Sequence, residues 1–222
     1  MFITRFSING ARRGAQKLLA SPQAMHAAVL AGFPPGVETS NHEGRTLWRL
    51  DFGTDRRVTL CIVSPSRPDL THLVEQAGWP TNQSWETRDY EPFLRRLTSG
   101  QRWVFRLTAN PSHSHKDHNG TTRRLGHVSP KWQKEWLLTQ GAKNGFVVSP
   151  AGDGEYDMIL SRRDKKSFRR SDETVTLTTA QYDGQLEVTD SEVFARALRN
   201  GIGRAKGYGC GLMTLALPRS SE

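Results

Sequence analysis

Three groups of residues in this chain have the types and spacing to do chemistry. Near the C-terminal end, Gly201, Gly203, Gly207, Gly209 and Gly211 fall at alternating or near-alternating positions, with Arg204, Lys206 and Tyr208 between them. Glycine lets a backbone turn through positive φ and lets a phosphate approach the amides. The two cations add charge, and the tyrosine offers a face on which a base can stack. No Gly-Lys-Ser/Thr is present, which removes the Walker loop. The segment follows a predicted helix and precedes a predicted strand, the reverse of a dinucleotide-binding loop. A phosphate-approaching loop and a plain flexible connection remain.

The second group is a run of cations. Arg162, Arg163, Lys165, Lys166, Arg169 and Arg170 make six of nine consecutive residues basic. Set between two predicted strands, the run reads as a hairpin tip suited to neutralising phosphates or entering a groove of folded RNA. A solvated charged face is the plain alternative. The third is His26, on the helix that Ser21-Pro22 opens. An imidazole titrates near about pH 6.5 and transfers protons close to neutrality. Spacing does not separate His26 from His42 or His72, and for a lone histidine a partly buried structural role is the favoured reading. His113, His115, His118 and His127, with Asp117, crowd a polar segment. Neither Cys-x-x-Cys nor His-Glu-x-x-His accompanies them, so they read as a polar loop and no metal site is assigned.

The elements that must position these groups follow from periodicity. Phe2 to Ile8 alternates as a half-buried strand does. Ser21 caps a helix with Pro22 at its first position, and Gly32 with Pro34-Pro35 ends it. Leu47–Phe52 and Arg57–Val63 predict a hairpin around Gly53-Thr54-Asp55. Asp69 caps a short helix through Gln76, and Trp103–Leu107 closes the series. That order is the βαββαβ unit. Residues 113–128 are polar and read as a linker. Beyond them, Lys131–Thr139 is helical, and Gly145–Ser149 and Tyr156–Leu160 are strands. Val175–Thr179 and Leu186–Val188 pair as further strands, Asp190 or Ser191 caps a helix through Asn200, and Gly211–Leu217 is the last strand. The fold class expected is α+β, with two tandem ferredoxin-like (RRM-like) βαββαβ domains over residues 1–112 and 129–222.

With 222 residues, 36% of them hydrophobic, the chain can bury a real core. Its net charge of +9 attracts polyanions, although the total does not tell RNA from DNA or acidic membrane. No apolar run approaches the roughly 20 residues that cross a bilayer. The first residues read as a strand and not as a signal peptide. Cys61 and Cys210 sit in apolar surroundings and read as two buried thiols of a cytoplasmic protein.

Ser21-Pro22 through Met25-His26-Ala27-Ala28-Val29 resembles the first-helix signature of the CasE (Cse3) family, the CRISPR repeat-cleaving endoribonucleases of type I-E Cascade. Asp183 to Asp190, then Phe194 to Leu198, resembles the segment leading into that family's glycine-rich loop, and Gly201 to Leu212 is similar to the loop itself. The resemblance runs from the first strand to the last, and is looser between residues 65 and 150. It implies metal-independent cleavage of precursor CRISPR RNA at a repeat stem-loop with no cofactor, retention of the product, and partnership with other Cascade subunits. His26 becomes the catalytic residue. The family often has a tyrosine one helical turn earlier, where Gln23 stands here. The run Arg162 to Arg170 is similar to the family's groove-entering element, with Lys165 or Lys166 steadying the scissile phosphate. The glycine-loop residues Gly201, Gly203, Arg204, Lys206, Gly207, Tyr208 and Gly209 complete the expected RNA contacts. A non-catalytic RNA-binding scaffold of the same fold, and a metal-dependent nuclease using the linker histidines, are the competing classes.

Overall fold

The computed structural model describes residues 1–53, 57–80, 85–116, 118, 120–152, 154–170 and 173–218, with the side chains of Arg123, Arg169, Arg170, Glu173 and Thr174 not included. The turn residues Thr54 and Asp55, and Asp117 of the histidine-rich segment, therefore lie outside the described residues. The fold is mixed α+β with several antiparallel sheets. It divides into two compact units, the first comprising residues 1–96, 199–201 and 206–212, the second the rest.

In the first unit β1 (Phe2–Asn9) turns Thr4, Phe6 and Ile8 inward and Arg5 and Ser7 outward. Helices α1 (Arg13–Ala20) and α2 (Pro22–Leu30) follow. Ser21 accepts a hydrogen bond from the Ala24 amide at 3.2 Å, and Pro22 occupies the first turn, as the capping pattern predicts. Short strands β2 (Ser40–Asn41) and β3 (Gly44–Arg45) lead to the hairpin β4 (Leu47–Phe52) and β5 (Arg57–Ser64). Helix α3 (Thr71–Ala77), strand β6 (Trp85–Asp89) and the single turn α4 (Glu91–Leu94) complete the unit. The sheet runs β4-β5-β1-β6, and each pair of neighbours is antiparallel. Helix α1 was not foreseen. Its preceding residue, Arg12, donates to the carbonyls of Val74, Glu75 and Gly78 and so caps the C-terminus of α3. Phe6, Ile8, Met25, Val29, Leu60 and Ile62 share one buried cluster, so α2 is seated on the sheet by Met25 and Val29. Truncating a core phenylalanine such as Phe6 costs roughly 3–5 kcal/mol.

The second unit holds β7 (Arg102–Ala109), the hairpin β8 (Ser112–Lys116) and β9 (Thr122–Gly126), α5 (Pro130–Lys143), and β10 (Phe146–Val148). The small ladder β11 (Pro150–Gly152) and β12 (Glu155–Tyr156) comes next, before the long pair β13 (Met158–Arg170) and β14 (Glu173–Val188). Helix α6 (Ser191–Asn200) and β15 (Met213–Ala216) follow, with a 3-10 turn over Lys206–Tyr208 between them. The sheet runs β10-β14-β7-β15, with β13 added along β14. Read by place in sequence, both sheets have the order second, third, first, fourth once the β13 extension is set aside.

Four expectations are corrected. Trp103–Leu107 does not close the first sheet: it lies in β7, where Phe105 and Leu107 are buried and Leu107 pairs with Tyr182. The first sheet's edge is β6, whose sequence Trp-Glu-Thr-Arg-Asp has too little apolar alternation to announce a strand. Residues 113–128 are largely the β8–β9 hairpin within the second unit, not a linker. Val175–Thr179 and Leu186–Val188 do not pair with each other, because both belong to the single 16-residue strand β14. The basic run is likewise no hairpin tip but the strand β13. Lys166 faces Leu177 and Phe168 faces Val175, and the β-branched partner strand supplies the ladder while Arg162, Arg163, Lys165 and Lys166 stay exposed.

Candidate active site around His26

Helix α2 carries His26 one residue after buried Met25, which turns the imidazole toward the edge of the core. The indole Nε1 of Trp48, on β4, donates to His26 Nδ1 at 3.3 Å. An imidazole nitrogen that accepts carries no proton, so the neutral ring bears its hydrogen on Nε2. Trp48 is itself buried and belongs to the cluster beneath α2. Trp48 thus holds the ring and favours that tautomer.

The glycine-rich segment closes the other side. A Cβ on Gly207 would lie 3.3 Å from His26 Nε2, so the backbone of the 3-10 turn passes directly against the nitrogen that holds the proton. Gly209 has φ +80°, and a Cβ there would meet Trp48 Cζ3 at 2.7 Å. Both demands, a left-handed backbone and contact with an indole face, exclude a side chain at 209. The far end of the segment is tied by Arg49. This arginine is only 1% exposed, donates from Nη1 to the Leu212 carbonyl at 3.0 Å, and meets Asp51 through two contacts of 2.8 Å. Such a charge is tolerated in a core because its donors are satisfied.

Lys206, in the same turn, is half-buried, and its pKa is lowered by burial and then by the nearby Arg45 guanidinium. Cys210 is fully buried and its thiol is pushed up to about 12, while burial raises Cys61 to about 11. Neither thiol is a nucleophile at neutral pH.

A family model described as CRISPR associated protein matches residues 1–217. The chain belongs to the CRISPR-associated protein family. Over nearly its whole length the chain is also similar to Cse3 proteins. The CRISPR-associated endoribonuclease Cse3 of Thermus thermophilus is 29% identical over 222 residues, 97% of this chain and 100% of that protein. A structure of CRISPR endoribonuclease Cse3 bound to a 19-nucleotide RNA matches with a TM-score of 0.81 at 26% identity, covering 98% of this chain and 100% of that one. Thermus thermophilus Cse3 bound to an RNA representing a pre-cleavage complex matches with a TM-score of 0.78 at 27% identity, over 97% and 98% of the two chains.

In this member of the CRISPR-associated family the residues expected from sequence fall in both units. His26, Lys206, Gly207, Tyr208 and Gly209 come together in the first unit, as does Gly201, whose Cβ position faces Leu47. Gly203 and Arg204 fall in the second unit, where Gly203 lies against the Trp136 ring and Arg204 is exposed. On β13, Arg162, Arg163, Lys165 and Lys166 are exposed, and a register shift between Ser161 and Asp164 sets Arg162 at φ +43°. Arg163 donates from Nε to Gln133 Oε1 at 2.8 Å and from Nη2 to the Val128 carbonyl, so it braces the strand against α5. Lys166 pairs with Asp164 at 3.3 Å. For Arg169 and Arg170 only the backbone, in β13, is described.

The remaining histidines divide by environment. His72 Nε2 bonds the Ala28 carbonyl at 2.8 Å, a structural contact that steadies α2, and His42 is exposed. His113 and His127 stack at 4.5 Å, His127 stacks further on Trp132, and His127 has a lowered pKa through burial and the neighbouring His113. His115 and His118 are exposed. Among the described residues no three His, Cys, Asp or Glu side chains converge as metal ligands would, and no helix is long and apolar enough to cross a membrane. Sequence reasoning missed Arg45, Trp48 and Arg49. Their only trace in the sequence is a tryptophan and an arginine side by side in an otherwise ordinary edge strand, β4, with a second arginine just before it in β3.

Proposed function

We propose that this chain is a metal-independent endoribonuclease that binds the stem-loop of a CRISPR repeat and cleaves precursor CRISPR RNA, with His26 as the catalytic residue. We read its two units as tandem ferredoxin-like domains. The observation that carries the assignment is the clamp on His26: Trp48 holds Nδ1 at 3.3 Å and the glycine-loop backbone passes Nε2. RNA brings its own nucleophile. The 2′-hydroxyl attacks the adjacent phosphorus, its proton passes to water, and the P–O2′ bond forms as the P–O5′ bond breaks. The departing 5′-oxygen accepts a hydrogen bond from the Nε2–H of His26 and draws its proton from solvent, so the ring stays neutral throughout. The products are a 2′,3′-cyclic phosphate and a 5′-hydroxyl. A proton held on Nε2 suits that leaving-group role, whereas a base acting at Nε2 needs the opposite tautomer.

The cations of β13 supply sequence-independent attraction to the repeat stem, and Arg204 and Tyr208 add contacts from the glycine-rich segment. The product stays bound within Cascade, as the family resemblance implies, and the two buried thiols suit the cytoplasm. The competing reading is a non-catalytic RNA-binding scaffold of the same fold.

Incubating purified protein with an end-labelled repeat hairpin in EDTA tests the proposal. Cleavage with the product ends named above is expected, and His26→Ala should lower the single-turnover rate by about 10²–10⁴-fold while binding a 2′-deoxy-blocked hairpin as wild type does. Binding without cleavage would assign the scaffold role, and cleavage abolished by EDTA would assign a metal-dependent nuclease.

A further inference from the structure

The residues from β3 to the start of β4 run alongside the glycine-rich segment in the first unit. A Cβ on Gly44 would lie 3.0 Å from the Arg199 carbonyl, Leu47 lies under Gly201, and Trp48 lies under Gly209. Arg45 sits inside this strip. Its Nε is buried and has no hydrogen-bond partner among the described residues. The cation nearest in influence is Lys206, itself half-buried in the turn that places Gly207 against His26. Neither side chain has a carboxylate within ion-pair distance among the described residues, in contrast to Arg49, which is satisfied by Asp51. Two cations that repel each other, one with a buried donor left over, both gain when an anion lies between them.

We propose that Arg45 and Lys206 form the phosphate subsite of this chain, taking the non-bridging oxygens of the phosphodiester beside His26 Nε2. This rests on the endoribonuclease reading above and adds the group that neutralises the charge of the pentacoordinate phosphorus. Arg45 is a residue that no feature of its local sequence singles out. It takes the part that the family resemblance gave to Lys165 or Lys166, both of which are exposed on β13.

Single-turnover cleavage of the repeat hairpin, read beside affinity for the 2′-deoxy-blocked hairpin, tests the subsite. Arg45→Gln and Lys206→Met should each slow cleavage by about 10²–10³-fold, the loss seen when one donor to a developing oxyanion is removed, and weaken binding by less than about tenfold because most of the affinity comes from other phosphate contacts. Arg45→Lys should recover a large part of the rate, and it also covers the case in which Arg45→Gln fails to fold.

The pH–rate profile gives a readout that a merely structural role would not move. The elements packed against the turn that holds Lys206 are α2, which carries His26, and β4, which carries Arg49 and Asp51, and the charge acting on Lys206 is that of Arg45. Deprotonation of Lys206 as pH rises through its lowered pKa should remove the anion-binding charge, so the wild-type rate falls on the basic side. Arg45→Gln removes the repulsion and should carry that limb to higher pH. Lys206→Arg, which does not titrate, should abolish the limb and retain activity. Wild-type rates in Arg45→Gln and Lys206→Met would overturn the subsite and leave the His26 assignment standing. A His26→Ala protein that still cleaves would instead remove the endoribonuclease reading on which the subsite depends.

Discussion

Around His26 each neighbour leaves no slack: an indole N–H on one ring nitrogen, a backbone against the other, and a glycine under the indole where no side chain fits. Along β13 the same chain holds its densest charge in solvent, with Arg163 bracing α5 and Lys166 occupied by Asp164. The first region is specified by packing and geometry, the second by sign of charge. Catalysis requires the former, because proton transfer fails when groups are misplaced by an ångström. Attraction to a polyanion requires only the latter, because screened charges act over about 8–10 Å at physiological salt. Substitutions in the two regions should therefore fail differently, the first in rate and the second in salt dependence.

The sharpest way to break the contrast is Gly209→Ala. A β-carbon at φ +80° is strained, and this one also meets Trp48 at 2.7 Å. Left-handed strain together with overpacking costs roughly 1–3 kcal/mol, and the displaced indole takes His26 with it. We expect a lower melting temperature and a cleavage rate at least about 10²-fold down, the penalty of a misplaced catalytic group. A variant that melts lower yet cleaves at the wild-type rate would show that the glycine serves folding and does not position the histidine.

Trp48→Phe asks a narrower question, since it keeps most of the packing and deletes the N–H. Loss of one hydrogen bond of about 0.5–1.5 kcal/mol should slow cleavage by up to about tenfold, since 1.4 kcal/mol is one decade in rate. The direct readout is the ¹⁵N spectrum of His26: wild type should show the proton on Nε2, and the variant a mixture of tautomers. An unchanged tautomer would show that Trp48 is packing alone.

The two regions also differ in how far they could be read from sequence. Basic residues declare themselves in any frame, so the run at 162–170 was found at once, yet its conformation was misjudged. A charged segment lacks the alternation that marks a strand, and its strand character comes from β14, whose Thr-Val-Thr-Leu-Thr-Thr run supplies the ladder. The helix start at Ser21-Pro22 was legible because capping chemistry is local. The assignment of β7 to the first sheet failed for the opposite reason, because partner choice between strands is a long-range matter: Leu107 pairs with Tyr182 and Met213, far along the chain. His26 was indistinguishable from His72 until α2, β4 and the glycine-rich segment were brought together. Arg45 stayed hidden because a lone arginine before a strand is ordinary unless one knows that its partner is missing.

The mildest perturbation probes the second region alone. Lys165→Ala with Lys166→Ala removes two exposed cations from β13, of which Lys166 is already shared with Asp164. Side chains this exposed hold up little of the fold, so the melting temperature should not move. If each makes one phosphate contact with the repeat stem, the slope of log K against log salt should fall by roughly 0.7–0.9 per cation, a loss of only a few-fold in affinity per contact across a fourfold change in salt. Because Lys166 gives up a surface ion pair worth at most about 1 kcal/mol on binding, its contribution should be the smaller of the two. If, as proposed, these lysines attract the RNA while Arg45 and Lys206 take the scissile phosphate, single-turnover cleavage at saturating protein should remain at the wild-type rate. A double variant that bound normally but cleaved slowly would reverse the assignment, moving the phosphate contact from Arg45 and Lys206 to β13 and erasing the distinction between a region that positions and a region that attracts.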